Sequence, residues 1–351
     1  MSFEKHVEEK LSKRGNLRIP RQDLRQMLID RLQPNTIIWG YKLTGYSEQN
    51  DKVQLEFAND EKFICDLLVG TDGIRSIVRQ QRDEAEIGCD AQLEYIGVSV
   101  IIGISTAQHP LINQQGFYIL DGKHRLFTMP FQQSQDGNTT HTMWQLSFSG
   151  VTEEEVLDLK ATGCVAVVQE ALKRTEGWFS PVQDLINNTP LQEIWCTPLY
   201  DRFSCPLKQR NKQTESRVTV LGDACHPMSM FKGQGANMAL EDGPLLASWL
   251  EKPGLDSKNI LTRIRCFERE MLSRTLPKVS ASREAANMLH NQDILEDSEL
   301  IQGIFTKHTD LLLALKMRDV KAQLGEKLEQ RAVEVYRMLL DEAKTKTAKG
   351  E

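Results

Sequence analysis

Residues 217–250 read RVTVLGDACHPMSMFKGQGANMALEDGPLLASWL, and this stretch decides the fold. Its opening, RVTVL, is a short β-branched run and predicts a buried strand. The run passes without a spacer into Gly222 and Asp223. A glycine at that point lets the backbone turn tightly or approach a ligand closely. Open α/β sheets bind ligands beyond the carboxyl ends of their strands, which is where Asp223 falls. Its carboxylate can accept hydrogen bonds from ribose or ribityl hydroxyls. Pro227 stiffens the loop that follows. Gly233, Gln234, Gly235, Ala236 and Asn237 then open a helix. The bare N–H groups and positive dipole end of such a helix suit an electron-rich ligand edge. Pro244 either kinks this helix or begins a new one.

Upstream, residues 66–79 read DLLVGTDGIRSIVR. The brief continuous apolar run suits a strand buried on both faces, and Asp72 and Gly73 follow it. Residues 16–34 place Leu24, Leu28 and Leu32 four apart between Pro20 and Pro34, which predicts an amphipathic helix. Residues 36–64 change to short alternating runs and predict an antiparallel meander. A second strand group occupies 93–149, in which Phe127, Met129 and Phe131 share one face, as do Trp144, Leu146 and Phe148. These aromatic faces are read as core packing ahead of a substrate pocket. Residues 152–176 predict a helix starting at TEEEV, and 236–250 and most of 258–345 predict further helices.

Two buried strands far apart in sequence, with mostly antiparallel material between them, predict a mixed α/β (α+β) fold. A layered sheet domain of discontinuous segments carries an inserted antiparallel-sheet domain and C-terminal helices. The expected division is 16–90 and 216–280 for the layered domain, 91–215 for the insert, and 281–351 for helices and a polar tail.

The run Gly222, Asp223, Ala224, Cys225, His226, Pro227, Gly233, Gln234, Gly235 and Asn237 resembles the second flavin-binding motif of the FAD-dependent aromatic hydroxylase family. Residues 66–79 resemble that family's Asp-Gly motif, in which the aspartate and glycine, here Asp72 and Gly73, serve FAD and nicotinamide binding. The segment IPRQDL resembles a third, in which the arginine, here Arg21, contacts FAD. The likeness runs from about Arg18 to about His290. It implies an FAD-binding domain with an inserted substrate domain, and NADPH or NADH as reductant. It further implies monooxygenation of an aromatic or small hydrophobic compound with oxygen, through a flavin hydroperoxide. The hard chemistry is then the flavin's, and the protein supplies orientation and a charge-stabilising, water-excluding site.

The chain departs from the family in two places. Relatives begin with a strand, a G-x-G-x-x-G turn, a helix and a second strand, a βαβ unit of about 30 residues or more. The twenty residues before Arg21 contain one glycine, Gly15. The ADP half of the FAD site is therefore expected to lie outside this chain, leaving an exposed sheet edge and apolar surface. Met230 stands where relatives carry a loop-stiffening proline. An oxidase, a halogenase or a non-catalytic remnant on the same scaffold stays open beside the monooxygenase. His226 is read as a loop histidine capping the next turn ahead of an acid–base role, and Cys225 as a packed small residue.

Bulk properties narrow the classes. The formal net charge is −6, with no broad basic field to hold a nucleic acid backbone. Seven cysteines, an odd number without C-x-x-C spacing, argue against a disulfide scaffold or zinc site and favour a reducing, cytoplasmic setting. The seven histidines show no H-E-x-x-H or H-x-H spacing, so no metal is expected. No apolar run reaches the roughly 18 residues of a membrane span.

Overall fold

The structure, a computed structural model, describes residues 19–87, 93–109, 112, 116–133, 140–178, 181–203, 216–254, 259–292 and 314–316. In chain order the first element is helix α1 (Arg21–Ile29), which starts directly after Pro20. It is shorter than its leucine spacing predicts, and none of its residues is buried. Strands β1 (Leu43–Gln49), β2 (Lys52–Phe57) and β3 (Lys62–Cys65) form the antiparallel meander. Strand β4 (Leu68–Gly70) leads through the Asp72 turn into helix α2 (Ile77–Ile87).

Strands β5 (Glu94–Ser105), β6 (Tyr118–Leu120), β7 (His124–Gln133) and β8 (Thr140–Ser149) follow. Thr152 then caps helix α3 (Glu153–Thr162), with Glu155 returning the bond to the Thr152 N–H. Helix α4 (Cys164–Arg174) is separate from α3. One helix was expected here, but Gly163 takes φ +106° and breaks it in two. After helix α5 (Val182–Asn187) come strand β9 (Ile194–Asp201) and strand β10 (Val218–Val220). Helix α6 (Gly235–Leu250) runs unbroken through Pro244, and helix α7 (Ile260–Leu289) through Pro277. Most of the helix expected over 258–345 beyond α7 lies outside the described residues. The part that is described, β11 (Ala314–Lys316), is a strand parallel to β6. A short apolar run such as this suits either state on periodicity alone.

The chain divides into two compact units. The first comprises 1–32, 97–198 and 288–351, and the second 33–96 and 199–287. The first unit is built on the six-stranded sheet ordered β11-β6-β7-β8-β5-β9. One face of that sheet packs on α3, α4 and α5. Its core contains Ile101, Leu126, Trp144, Leu146, Phe148, Val167, Ala171 and Ile186. Trp144 is fully buried and donates its indole N–H to Thr189 Oγ1 at 2.9 Å. Trp144, Leu146 and Phe148 are thus core residues, whereas Phe127, Met129 and Phe131 are half-buried on the opposite face.

In the second unit β4 and β10 pair in parallel, with Leu68 opposite Val218 and Gly70 opposite Val220. Both faces of β10 are buried, and Leu68 and Val69 of β4 are half-buried. Helix α2 packs so tightly here that a β-carbon on Gly70 would stand 2.7 Å from Val78 Cβ and 2.9 Å from Val220 Cγ1. The core is completed by Val53, Ala224, Cys225, Leu246, Phe267 and Met271. Cys225 is packed, and the five cysteines among the described residues are free thiols. Edge strand β3 carries Phe63 and Ile64 exposed to solvent.

Candidate functional site

The register of the β4–β10 ladder sets the site. Because Gly70 lies opposite Val220, the two parallel strands end together, and the Leu221 N–H closes the ladder on Gly70 O at 3.1 Å. The Asp72–Gly73 turn and the Gly222–Asp223 turn therefore leave the same end of the sheet. This is the carboxyl end, where open α/β sheets bind ligands.

Each turn is built for close backbone approach. Gly222 takes φ +60°, and a β-carbon there would meet Ala239 Cβ of α6 at 3.3 Å. Residues 222–224 form a single 3-10 turn, with the N–H groups of Cys225 and His226 both returning to Gly222 O at 2.9 Å. This leaves the Asp223 side chain exposed while its neighbours Ala224 to Pro227 are buried. Gly73 takes φ +81° with open space around it. Asp72 is exposed too, but its Oδ2 is engaged, accepting the N–H of Ile77 at 2.9 Å and of Val78 at 3.4 Å. It ties down two N–H groups of the first turn of α2, whose N-cap position is held by Ser76, its Oγ accepting the Arg79 N–H at 3.0 Å.

The loop from Pro227 returns through a second 3-10 turn, Met230–Lys232, and Gly233 ends that turn in the left-handed conformation at φ +60°. Gln234 stands at the N-cap of α6 without making a side-chain cap. The helix thus begins with Gly235, Ala236 and Asn237, whose N–H groups have no intrahelical acceptor. No acidic residue lies in its first turn to quench the dipole, and Ala236 and Asn237 are exposed.

Of the residues singled out in the sequence, Asp72, Gly73, Gly222, Asp223, Pro227, Gly233, Gln234, Gly235, Ala236 and Asn237 all belong to the second unit. Arg21 belongs to the first, as the opening residue of α1, and is exposed. His226 departs from its reading. It caps no turn but is buried, with Nε2 2.6 Å from Asp242 Oδ2. Asp242 is the residue the sequence reading missed. It occupies the buried face of α6 with Met238 and Leu246, four apart, and a carboxylate on such a stripe was the available signal.

These features suit the pyrimidine edge and ribityl chain of a flavin. Two left-handed glycines clear the approach, an uncapped helix start supplies donors and partial positive charge, and an exposed carboxylate supplies an acceptor. Among the described residues no cluster of histidine, cysteine or carboxylate side chains is arranged to hold a metal, and no helix is long and apolar enough to cross a membrane.

No family model matches the chain. It is 29% identical over 232 residues to the aurachin C monooxygenase/isomerase of Stigmatella aurantiaca, covering 66% of this chain and 55% of that protein. It is 26% identical over 245 residues to the 6-hydroxynicotinate 3-monooxygenase of Bordetella bronchiseptica, covering 68% of this chain and 58% of the relative. Among solved structures, Klebsiella pneumoniae HpxO in complex with FAD and uric acid superposes with a TM-score of 0.65. The identity is 20%, over 82% of this chain and 67% of that one. The chain spans between 39% and 55% of the length of the first curated relatives it matches.

Proposed function

We infer the function from kinship and geometry together: this chain is a homologue of FAD-dependent aromatic-type monooxygenases. In our reading it holds the flavin-ring part of an FAD site and serves NAD(P)H-dependent monooxygenation of an aromatic or small hydrophobic compound. The observation that carries this is the shared carboxyl end of β4 and β10, where the Asp223 turn packs against the uncapped start of α6.

Each residue has a role set by its position. The exposed Asp223 carboxylate accepts hydrogen bonds from cofactor hydroxyls. Gly222 and Gly233 let the backbone come close, and Pro227 stiffens the loop between them. The N–H groups of Gly235, Ala236 and Asn237, free at the helix start, would stabilise negative charge on a bound flavin ring without reorganisation. Gln234 lies beside them at the N-cap. Asp72 and Gly73, on the adjacent strand end, complete the set within the second unit. FAD, when bound, supplies the redox chemistry and oxygen activation. The chain supplies orientation, partial charge and shelter from water.

The test is a titration of the chain with FAD, followed by flavin fluorescence and absorbance. Saturable binding that Asp223→Ala weakens by about tenfold or more supports the reading. A folded chain without saturable binding rejects it. Turnover with NADPH, oxygen and aromatic compounds, with and without halide, then separates hydroxylation from oxidation or halogenation.

A further inference from the structure

We propose that Asp242 is the positioning residue of this site, a single buried carboxylate that fixes both of its halves at once. The inference rests on the flavin reading above. Asp242 is completely buried, and a carboxylate in that setting persists only when its oxygens are paired. Its Oδ2 accepts the backbone N–H of Gly222 at 2.9 Å and faces His226 Nε2 at 2.6 Å. Its Oδ1 accepts from the Arg274 guanidinium of α7. Arg274 also donates to Glu241 Oε2 at 2.7 Å and to the Met238 carbonyl at 3.5 Å.

The connectivity makes this more than a core ion pair. Gly222 is the immediate neighbour of Asp223, and Met238 of Asn237. Asp242 therefore holds the strand-end turn through one N–H, and Arg274 holds the opening turn of α6 through one carbonyl. Both ties meet at the same carboxylate. His226 Nδ1 is buried and makes no hydrogen bond among the described residues, so Asp242 is the one hydrogen-bond partner of the ring. Bond geometry thus dictates a carboxylate here. An amide at 242 presents an NH2 group either to the Arg274 guanidinium or to the Gly222 N–H, a donor against a donor.

The experiment compares the chain with Asp242→Asn and Arg274→Met, the latter at a partly exposed side chain. FAD affinity is read by fluorescence, the bound flavin by visible circular dichroism, and the apo fold by far-ultraviolet circular dichroism and Tm. Both variants are expected to weaken FAD binding by about tenfold or more and to change the visible spectrum of bound flavin, with Arg274→Lys restoring most of the loss. If Asp242→Asn does not fold, the Arg274 pair decides. Wild-type affinity and spectrum in a folded variant overturn the proposal. So does an affinity loss that tracks Tm while the bound spectrum stays unchanged, because that is a stability effect alone. Absence of FAD binding by the unsubstituted chain fails the flavin reading instead.

Discussion

Asp72 and Ile77 are joined across the start of α2, where the carboxylate Oδ2 accepts the Ile77 N–H at 2.9 Å. A hold on the helix start and a proposed cofactor contact therefore share one side chain, and the two duties separate by substitution. Asparagine keeps an oxygen to accept these N–H groups, whereas alanine removes it, a loss of about 1 kcal/mol. Asp72→Asn is expected to keep the wild-type Tm while weakening FAD or NADPH binding, and Asp72→Ala to lower both. Ligand titration beside thermal unfolding reads this directly. Unchanged binding in the asparagine variant assigns Asp72 to the helix start alone.

Gly70 sets how closely α2 can pack. With Val78 Cβ at 2.7 Å and Val220 Cγ1 at 2.9 Å from a β-carbon there, Gly70→Ala forces the helix or the ladder to move. Overpacking of this kind costs about 1–3 kcal/mol. Urea unfolding is expected to show that loss. Because the displacement falls at the strand ends that carry both turns, FAD affinity is expected to fall with it.

Met230 is the first residue of its 3-10 turn, and Ser229 before it is extended at φ −65°, ψ 159°. The first position of a helical turn tolerates proline, and an extended preceding residue is what proline requires. Met230→Pro is therefore expected to be accommodated, raising stability by about 0.5 kcal/mol through the unfolded chain. It is also expected to tighten FAD binding by stiffening the loop. Equal affinity in the two proteins rejects the second expectation without touching the first.

Burial works to raise the Asp121 carboxyl, but the His124 side chain and the N–H groups of Lys123 and His124 outweigh it, leaving it below the usual carboxylate range. A carboxyl depressed on folding contributes stability that is present above its unfolded pKa and lost as pH falls through the folded value. The first unit is thus expected to lose stability on the acid side, and Asp121→Asn to flatten that limb of a Tm–pH profile. An unchanged limb refutes the assignment.

Where periodicity was local and strong, the sequence was legible. The β1–β3 meander, the strands of the second group and the turn from β10 into α6 all follow from alternation and punctuation. What escaped were local choices at a glycine and a proline, and the effects of partners distant in the chain. The helix over 152–176 breaks at Gly163 because a left-handed glycine outweighs the helical spacing on either side. Pro244 left two outcomes open, and the continuous α6 chose between them. His226 was read as a loop histidine capping the next turn because its partner, Asp242, becomes a neighbour only once α6 folds back on the strand-end turn. The glycines and Asp223 announced themselves by motif, but the carboxylate beneath them is visible only as a charge on an apolar stripe.

The β4–β10 ladder has a kinetic consequence. Its two strands are contributed by segments whose contacts, such as Arg217 with Asp66, lie 151 residues apart in sequence. Searching for so distant a partner delays a parallel pair, because the entropy of closing the loop precedes any contact energy. The intervening chain shortens that search. It leaves along β5 and comes back along β9, and these are neighbouring strands of one sheet. Once that sheet has formed, the two halves of the ladder are delivered from adjacent exits, and a long diffusive closure becomes a short one. Topology thus predicts an order of folding, with the inserted sheet assembling before the strand ends that carry Asp72 and Asp223 meet.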